Sequence, residues 1–335
     1  MEVRAKKALG QHFLTDQSIA RGIVDALTND PAAPRDVLEI GPGMGVLTQY
    51  LIQRDDIDAR MIEIDTESVE YLLTHFNGMQ GRLMEGDYLK LKMEAIFKGP
   101  YRVIGNFPYN ISSQIFFKIL EDKDRVPEVV CMIQKEVADR IAEKPGSKTY
   151  GILSVLLQAW YDIDYVMTVG PGAFAPPPKV KSAVIRLRRN GRNDLGCDEA
   201  LFKKVVKTAF NQRRKTLRNA LKPMINEWAT AHEGIAPAWA ADAVFDLRAE
   251  RRLREGDGHF QQHGVVLALE KLVGLHVDLD AQVARRAAVL TGVTLSVYGY
   301  HIAVINARRD IDGTALDFDA EIANLTKMLE PKVAA

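Results

Sequence analysis

The sequence predicts an α/β protein, a Rossmann-like sheet of about seven strands with a smaller C-terminal helical domain and an atypical tail. Three observations carry that expectation. Short apolar runs alternate with helical patterns from about residue 16 to 190; the first run breaks into a glycine turn; and acidic or amide residues stand at the ends of later runs.

Asp16 is a natural N-cap for a helix with Ile19, Ile23, Val24 and Leu27 on one face. Asp36–Ile40 is a short apolar strand stopped by Gly41, and a helix follows through Leu47, Tyr50 and Leu51. Ala59–Ile64 is the second strand, 66–76 a helix, 81–85 the third strand and 101–105 the fourth, with a helix after Ile111. Val129–Ile133 is the fifth strand, and helices are expected over 136–143 and Ile152–Trp160. Tyr161–Val169 and Ser182–Leu187 read as a closing antiparallel hairpin. The domains expected are 1–190, a basic helical domain over 191–250, and a tail over 251–335. The second domain should begin with one helix from Asp198 to Leu221, with Pro223 near its end, and one or two shorter helices over 227–250.

Composition excludes several classes. No stretch approaches ~18 uninterrupted apolar residues, so no membrane span is expected. The basic start, Met1 to Lys7, lacks the apolar segment of a secretory signal. Cys131 and Cys197 are too few for a disulfide framework or a zinc site and suit a cytoplasmic protein; no metal is expected. Net charge is zero, so a nucleic-acid partner would need positive charge gathered locally.

Leu38 to Gly45 is a strand, a glycine turn and the start of a helix. Gly41 and Gly43 fit the dinucleotide fingerprint, but its third glycine falls on Val46; Gly45 stands one place early. Gly-x-Gly-x-Gly after an acidic strand is the form common in sheets that bind S-adenosylmethionine; a bare structural turn is the alternative. Glu63 ends the second strand roughly twenty residues on, where a carboxylate accepts from ribose hydroxyls. Asp87 ends the third and is placed to accept from an adenine amino group. Each acid alone also fits a solvated strand end; together with the glycines they point to a nucleoside cofactor.

The fourth strand ends in Gly105-Asn106-Phe107-Pro108-Tyr109. An amino group on a nucleobase is a poor nucleophile because its lone pair is delocalised into the ring. The Asn106 side-chain oxygen and a carbonyl held rigid by Pro108 can accept its two N–H bonds, and Tyr109 offers a face for an unstacked base. A β-turn closing the strand is the structural alternative.

Gly41-Pro42-Gly43-Met44-Gly45, Glu63, Asp87 and Gly105 to Ser112 together resemble the ribosomal RNA adenine dimethyltransferases, and within them the bacterial small-subunit branch. Lys7 to Leu14 is similar to the family's Gly-Gln-Asn-Phe-Leu, with His12 in place of asparagine; Phe174 to Ser182 matches its Phe-x-Pro-x-Pro-Lys-Val-x-Ser. The resemblance runs from about residue 5 to 250. It implies S-adenosyl-L-methionine as donor and two adjacent adenosines near the 3′ end of small-subunit rRNA, within an immature subunit, as acceptors. It places His12, Leu14, Gly41, Gly43, Glu63, Asp87 and Asn106 at the cofactor, Asn106, Pro108 and Tyr109 at the base, and Phe174 as a second aromatic wall. The chain is expected to be monomeric. The alternatives are the antibiotic-resistance branch, which modifies large-subunit rRNA, and a non-catalytic ribosome-assembly factor.

Arg213, Arg214, Lys215 and Arg218 form the densest basic run, with Arg214 and Arg218 four apart on one helix face. With Arg4, Lys6 and Lys7 they offer a phosphate-binding surface; a solvated helix face is the alternative. After Arg251 the family pattern would give one short helix and stop. Codons for Leu253 to Gln262 can be chosen so that a one-base shift spells Ser-Val-Lys-Glu-Met-Ala-Ile-Phe-Ser-Asn, which is similar to that helix. A frame change near residue 252 is therefore one reading of the tail, an appended domain the other, and the nucleotide sequence decides between them.

Overall fold

Continuous apolar runs become strands covered on both faces, as a parallel sheet requires. The computed structural model describes residues 6, 9–144, 147–195, 198–212, 215 and 217–231. Expectations for Arg4, Lys7, Arg213, Arg214 and 232–335, the tail included, lie outside the described residues. Contacts divide the chain into two units, one up to Asn193 and one from Asp194.

In the first unit, β1 is Phe13–Leu14, α1 Gln17–Asp25, β2 Asp36–Ile40, α2 Thr48–Leu51, β3 Asp58–Glu63, α3 Thr66–His75, β4 Leu83–Glu85 and β5 Arg102–Asn106. These are followed by α4 Ser112–Glu121, β6 Glu128–Gln134, α5 Lys135–Ala142, α6 Ile152–Gln158, β7 Tyr161–Val169, β8 Phe174–Ala175 and β9 Ser182–Arg189. Asp16 caps α1 as expected, Oδ1 accepting from Ser18 and Ile19 N–H at 2.9 and 3.2 Å. The helix after the glycine turn is shorter than its apolar spacing suggests, a single turn.

The main sheet has seven strands in the order β4-β3-β2-β5-β6-β9-β7. β2 pairs in parallel with β3 on one side and β5 on the other, so the winding reverses between β2 and β5. In such sheets a ligand crevice opens at that reversal, beyond the carboxyl ends of the strands. Gly105 lets β5 lie close to β2: a Cβ there would stand 2.5 Å from the Ile40 carbonyl oxygen. β9 is antiparallel to β6, and β7 to β9, which closes the sheet as the hairpin pattern implied. Charge at the opposite end of the sheet is structural. There Arg102 and Glu128, 2% and 4% exposed, face each other at 3.6 Å, and both bond the Thr28 backbone.

β1 and β8 form a separate two-stranded sheet that the sequence pattern does not show, pairing Phe13 with Ala175 and Leu14 with Phe174. In the second unit, the single helix expected over 198–221 is two. α7 spans Glu199–Asn211, capped by Asp198, and α8 spans Leu217–Ala231 with Pro223 inside it. The interruption follows Gln212, whose N–H turns back to Ala209. Val205, Val206 and Ala209 of α7 and Ala220, Leu221, Met224 and Ile225 of α8 are buried. Among the described residues no helix is long and apolar enough to cross a membrane, and no group of three or more His, Cys, Asp or Glu could hold a metal ion.

Candidate active site

The turn after β2 folds around its own backbone. Gly41, Gly43 and Gly45 all have positive φ, which L side chains rarely adopt. A Cβ on Gly45 would also strike the Phe76 ring at 2.6 Å, so this glycine serves packing, whereas nothing lies within 4 Å of where a Cβ on Gly41 would be. The open side of the turn faces a pocket of about 210 Å³, far above the ~10–15 Å³ that a single water needs.

Glu63, at the end of β3, closes one flank. Its Oε2 accepts from Gly43 N–H at 2.9 Å, and Oε1 accepts from Ile64 and Asp65 N–H at 2.9 Å each. Burial pushes its carboxyl up, and those three backbone N–H groups pull it back. Glu63 thus ties the second strand end to the glycine turn, and Oε2, with a single donor, keeps a second lone pair. Asp87 follows β4; its Oδ1 accepts from Leu89 N–H at 2.9 Å and its Oδ2 lies 3.4 Å from Lys90 Nζ.

The other flank is the end of β5. Asn106 Nδ2 donates to the His12 carbonyl at 3.1 Å, which commits the amide nitrogen and leaves Oδ1 as the acceptor. Tyr109 is half-buried, its hydroxyl hydrogen-bonded to Ser182 Oγ at the start of β9. Burial pushes its phenol up. Phe107, between them, is 1% exposed and meets Phe116 edge-on at 5.9 Å, so it belongs to the core.

The N-terminal segment crosses this pocket. Phe13 lies against the glycine turn, 3.0 Å from a Cβ position on Gly43. Asp65 holds the segment from below: it bonds Lys6 Nζ, and its Oδ2 accepts from Gln11 Nε2 at 3.3 Å and Ser68 Oγ at 2.9 Å. Burial opposes ionisation of Asp65, but those donors outweigh it and hold the carboxyl below its usual range.

His12, Leu14, Gly41, Gly43, Glu63, Asp87, Asn106, Pro108 and Tyr109 all line this one pocket. Phe174 does not. Pairing with Leu14 across β1 and β8 puts its ring, 4% exposed, into the core with Leu14 and Val169 rather than at the pocket wall. Lys6, expected among phosphate contacts, has its ammonium between Asp65 and Glu67. Lys215 is exposed and Arg218 lies in the first turn of α8, so the four-residue spacing from Arg214 does not run along one described helix. The structure adds Glu39, fully buried at the pocket beside Thr48, whose Oγ1 donates to it at 2.6 Å. Burial pushes the Glu39 carboxyl up to about 8. Its signal in the sequence is an acid inside an otherwise apolar strand.

Comparison with known proteins agrees with this geometry. Residues 2–244 match the family described as ribosomal RNA adenine dimethylase. Ribosomal RNA small subunit methyltransferase A of Parabacteroides distasonis is 59% identical over 249 residues, 74% of this chain and 90% of its own. The protein of the same name from Bacteroides thetaiotaomicron is 54% identical over 250 residues, again 74% and 90%. Among solved structures, a dimethyladenosine transferase from Plasmodium falciparum superposes with a TM-score of 0.58 at 24% identity, covering 77% of this chain and 96% of that one. The 23S rRNA methyltransferase ErmE gives 0.53 at 23% identity, covering 78% and 99%; at such identities both speak for the fold alone. By the extent of these matches, the chain belongs to the ribosomal RNA adenine dimethylase family.

Proposed function

We propose that this protein transfers methyl groups from S-adenosyl-L-methionine to N6 of two adjacent adenosines near the 3′ end of small-subunit (16S) rRNA, two methyls to each. The observation that carries the reading is the meeting in one pocket of the glycine turn, Glu63 and Asp87 with Asn106, Pro108 and Tyr109. Relatives named for the small-subunit reaction, at 54–59% identity, support that substrate over large-subunit rRNA.

The residues present fit the cofactor. Gly41 leaves open space where a side chain would stand, and the buried Glu63 carboxylate retains acceptor capacity for ribose hydroxyls. Asp87 is the acceptor for the adenine amino group, and Leu14 completes the wall. When bound, S-adenosylmethionine supplies an electrophilic methyl on a sulfonium.

The chain's own task is to make a poor nucleophile attack. Asn106 Oδ1 accepts one N–H of the target N6. Pro108's own carbonyl is engaged by Ile111 N–H at 3.2 Å; the Phe107 carbonyl, fixed by the proline ring that follows it, is taken as the second acceptor. Together they draw both N–H bonds out of the ring plane and localise the nitrogen lone pair. Tyr109 supplies the stacking face, worth ~1–3 kcal/mol. The nitrogen so prepared would take the methyl that the donor supplies and lose its proton to solvent. Most of the acceleration is alignment.

Lys215 and Arg218, with Arg4, Lys7, Arg213 and Arg214 from outside the described residues, are assigned to phosphate contacts that position the RNA. We assign residues 1–190 to catalysis and 191–250 to RNA binding, and give 251–335 no part in either. The protein acts as a cytoplasmic monomer on immature subunits. The test is transfer of labelled methyl to undermethylated small subunits, with large-subunit RNA in parallel. Dimethyladenosine in the small subunit supports the reading. Label confined to large-subunit RNA contradicts it, and binding without label would make the protein an assembly factor.

A further inference from the structure

His12 touches each element around the base side of the pocket. Its carbonyl takes the Asn106 amide at 3.1 Å, a bond any residue at this position could accept. Its ring does two other things. Nδ1 lies 2.9 Å from the Pro176 carbonyl oxygen; a carbonyl only accepts, so Nδ1 carries the proton. The ring also stacks on Tyr109, centroids 5.4 Å apart and planes 29° from parallel. Tyr109 is tied at its other end by Ser182. Its ring is therefore held by its face and by its tip, and the face contact comes from His12.

We propose that the His12 ring is a positioning residue for the target base rather than a ligand of the cofactor: stacked on Tyr109 and donating to Pro176, it sets the plane on which the adenine lies. This rests on the reaction proposed above. Asn106 Oδ1 is fixed through the His12 carbonyl, so a Tyr109 ring free to tilt would shift the base relative to an acceptor that stays in place. An ångström of such misplacement costs on the order of 10²-fold in rate. The second methylation is the more exposed of the two. N6-methyladenosine offers one N–H instead of two, so its placement leans more on stacking and less on hydrogen bonds.

The experiment compares wild type, His12→Ala and His12→Phe for S-adenosylmethionine affinity, by direct titration, and for single-turnover methyl transfer to undermethylated small subunits. Products are resolved as mono- and dimethyladenosine. His12→Ala should slow transfer about tenfold at saturating cofactor and accumulate monomethyladenosine, with cofactor affinity within about twofold of wild type. His12→Phe keeps a ring for Tyr109 and loses the donor to Pro176, and should fall between. A loss of cofactor affinity that accounts for the slower rate in both variants would overturn the proposal, as would unchanged rate and product ratio in both. If His12→Ala does not fold, His12→Phe carries the same comparison. A wild-type protein that transfers no methyl would sink the proposed function instead.

Discussion

On the side of the pocket that we propose holds the cofactor, Glu63 is fixed by N–H groups of the glycine turn and of its own two following residues, all at 2.9 Å. On the base side, Asn106 and Tyr109 are fixed by His12 and Ser182, 94 and 73 positions away in the chain. One side is built from backbone at strand ends; the other is built by a crossing N-terminal segment and the first residue of β9. The cofactor side should therefore tolerate loss of distant side chains, while the base side should respond to changes at His12 and Ser182, far from it along the chain.

The largest expected effect separates core from pocket. Phe174→Ala removes a buried ring from the packing of β1 on β8 and should cost ~3–5 kcal/mol of stability, read as a lowered Tm. The folded fraction should bind cofactor normally. A variant with wild-type stability and impaired transfer would put the ring at the base after all.

Asn106→Ala removes the acceptor proposed to act during attack and should lower the transfer rate 10²–10³-fold, about 2.7–4 kcal/mol. A loss under tenfold at saturating cofactor would deny the amide that role.

Glu39 gives the pH dependence. Its carboxyl, pushed up to about 8 by burial, keeps in the folded chain a proton that the unfolded chain releases near 4.5. Stability from this group is complete below about pH 4.5 and is lost as pH rises to about 8, because there the folded state binds more protons than the unfolded one. Glu39→Gln stays neutral, so its Tm should gain on wild type steadily as pH rises from about 5 to about 8. An offset that does not change with pH would show that Glu39 is ionised in the fold.

The same contrast explains what could be read from the sequence. Gly41, Glu63, Asp87 and Asn106 sit at or just past the ends of strands of three to six residues, which the alternation of strand and helix patterns announced. β1 and β8 are two residues each and pair across more than 150 positions, too short for a period and too distant for a local signal. The motif around Phe174 implies an aromatic wall, but its pairing with Leu14 across these two strands puts the ring in the core. The contacts of the His12 ring with Tyr109 and Pro176 join three separate segments and have no local signal in the sequence. The break between α7 and α8 was hidden by Gln, Arg and Lys, good helix formers that give no stop signal.

The most direct test of the two-sided pocket is Tyr109→Ala, measured for cofactor affinity and for single-turnover transfer on the same preparation. The account predicts a rate at saturating cofactor lower by about 10- to 100-fold, the ~1–3 kcal/mol of one base stack, with affinity within about twofold. An affinity for S-adenosylmethionine that falls in step with the rate would contradict it, because Tyr109 would then belong to the cofactor side.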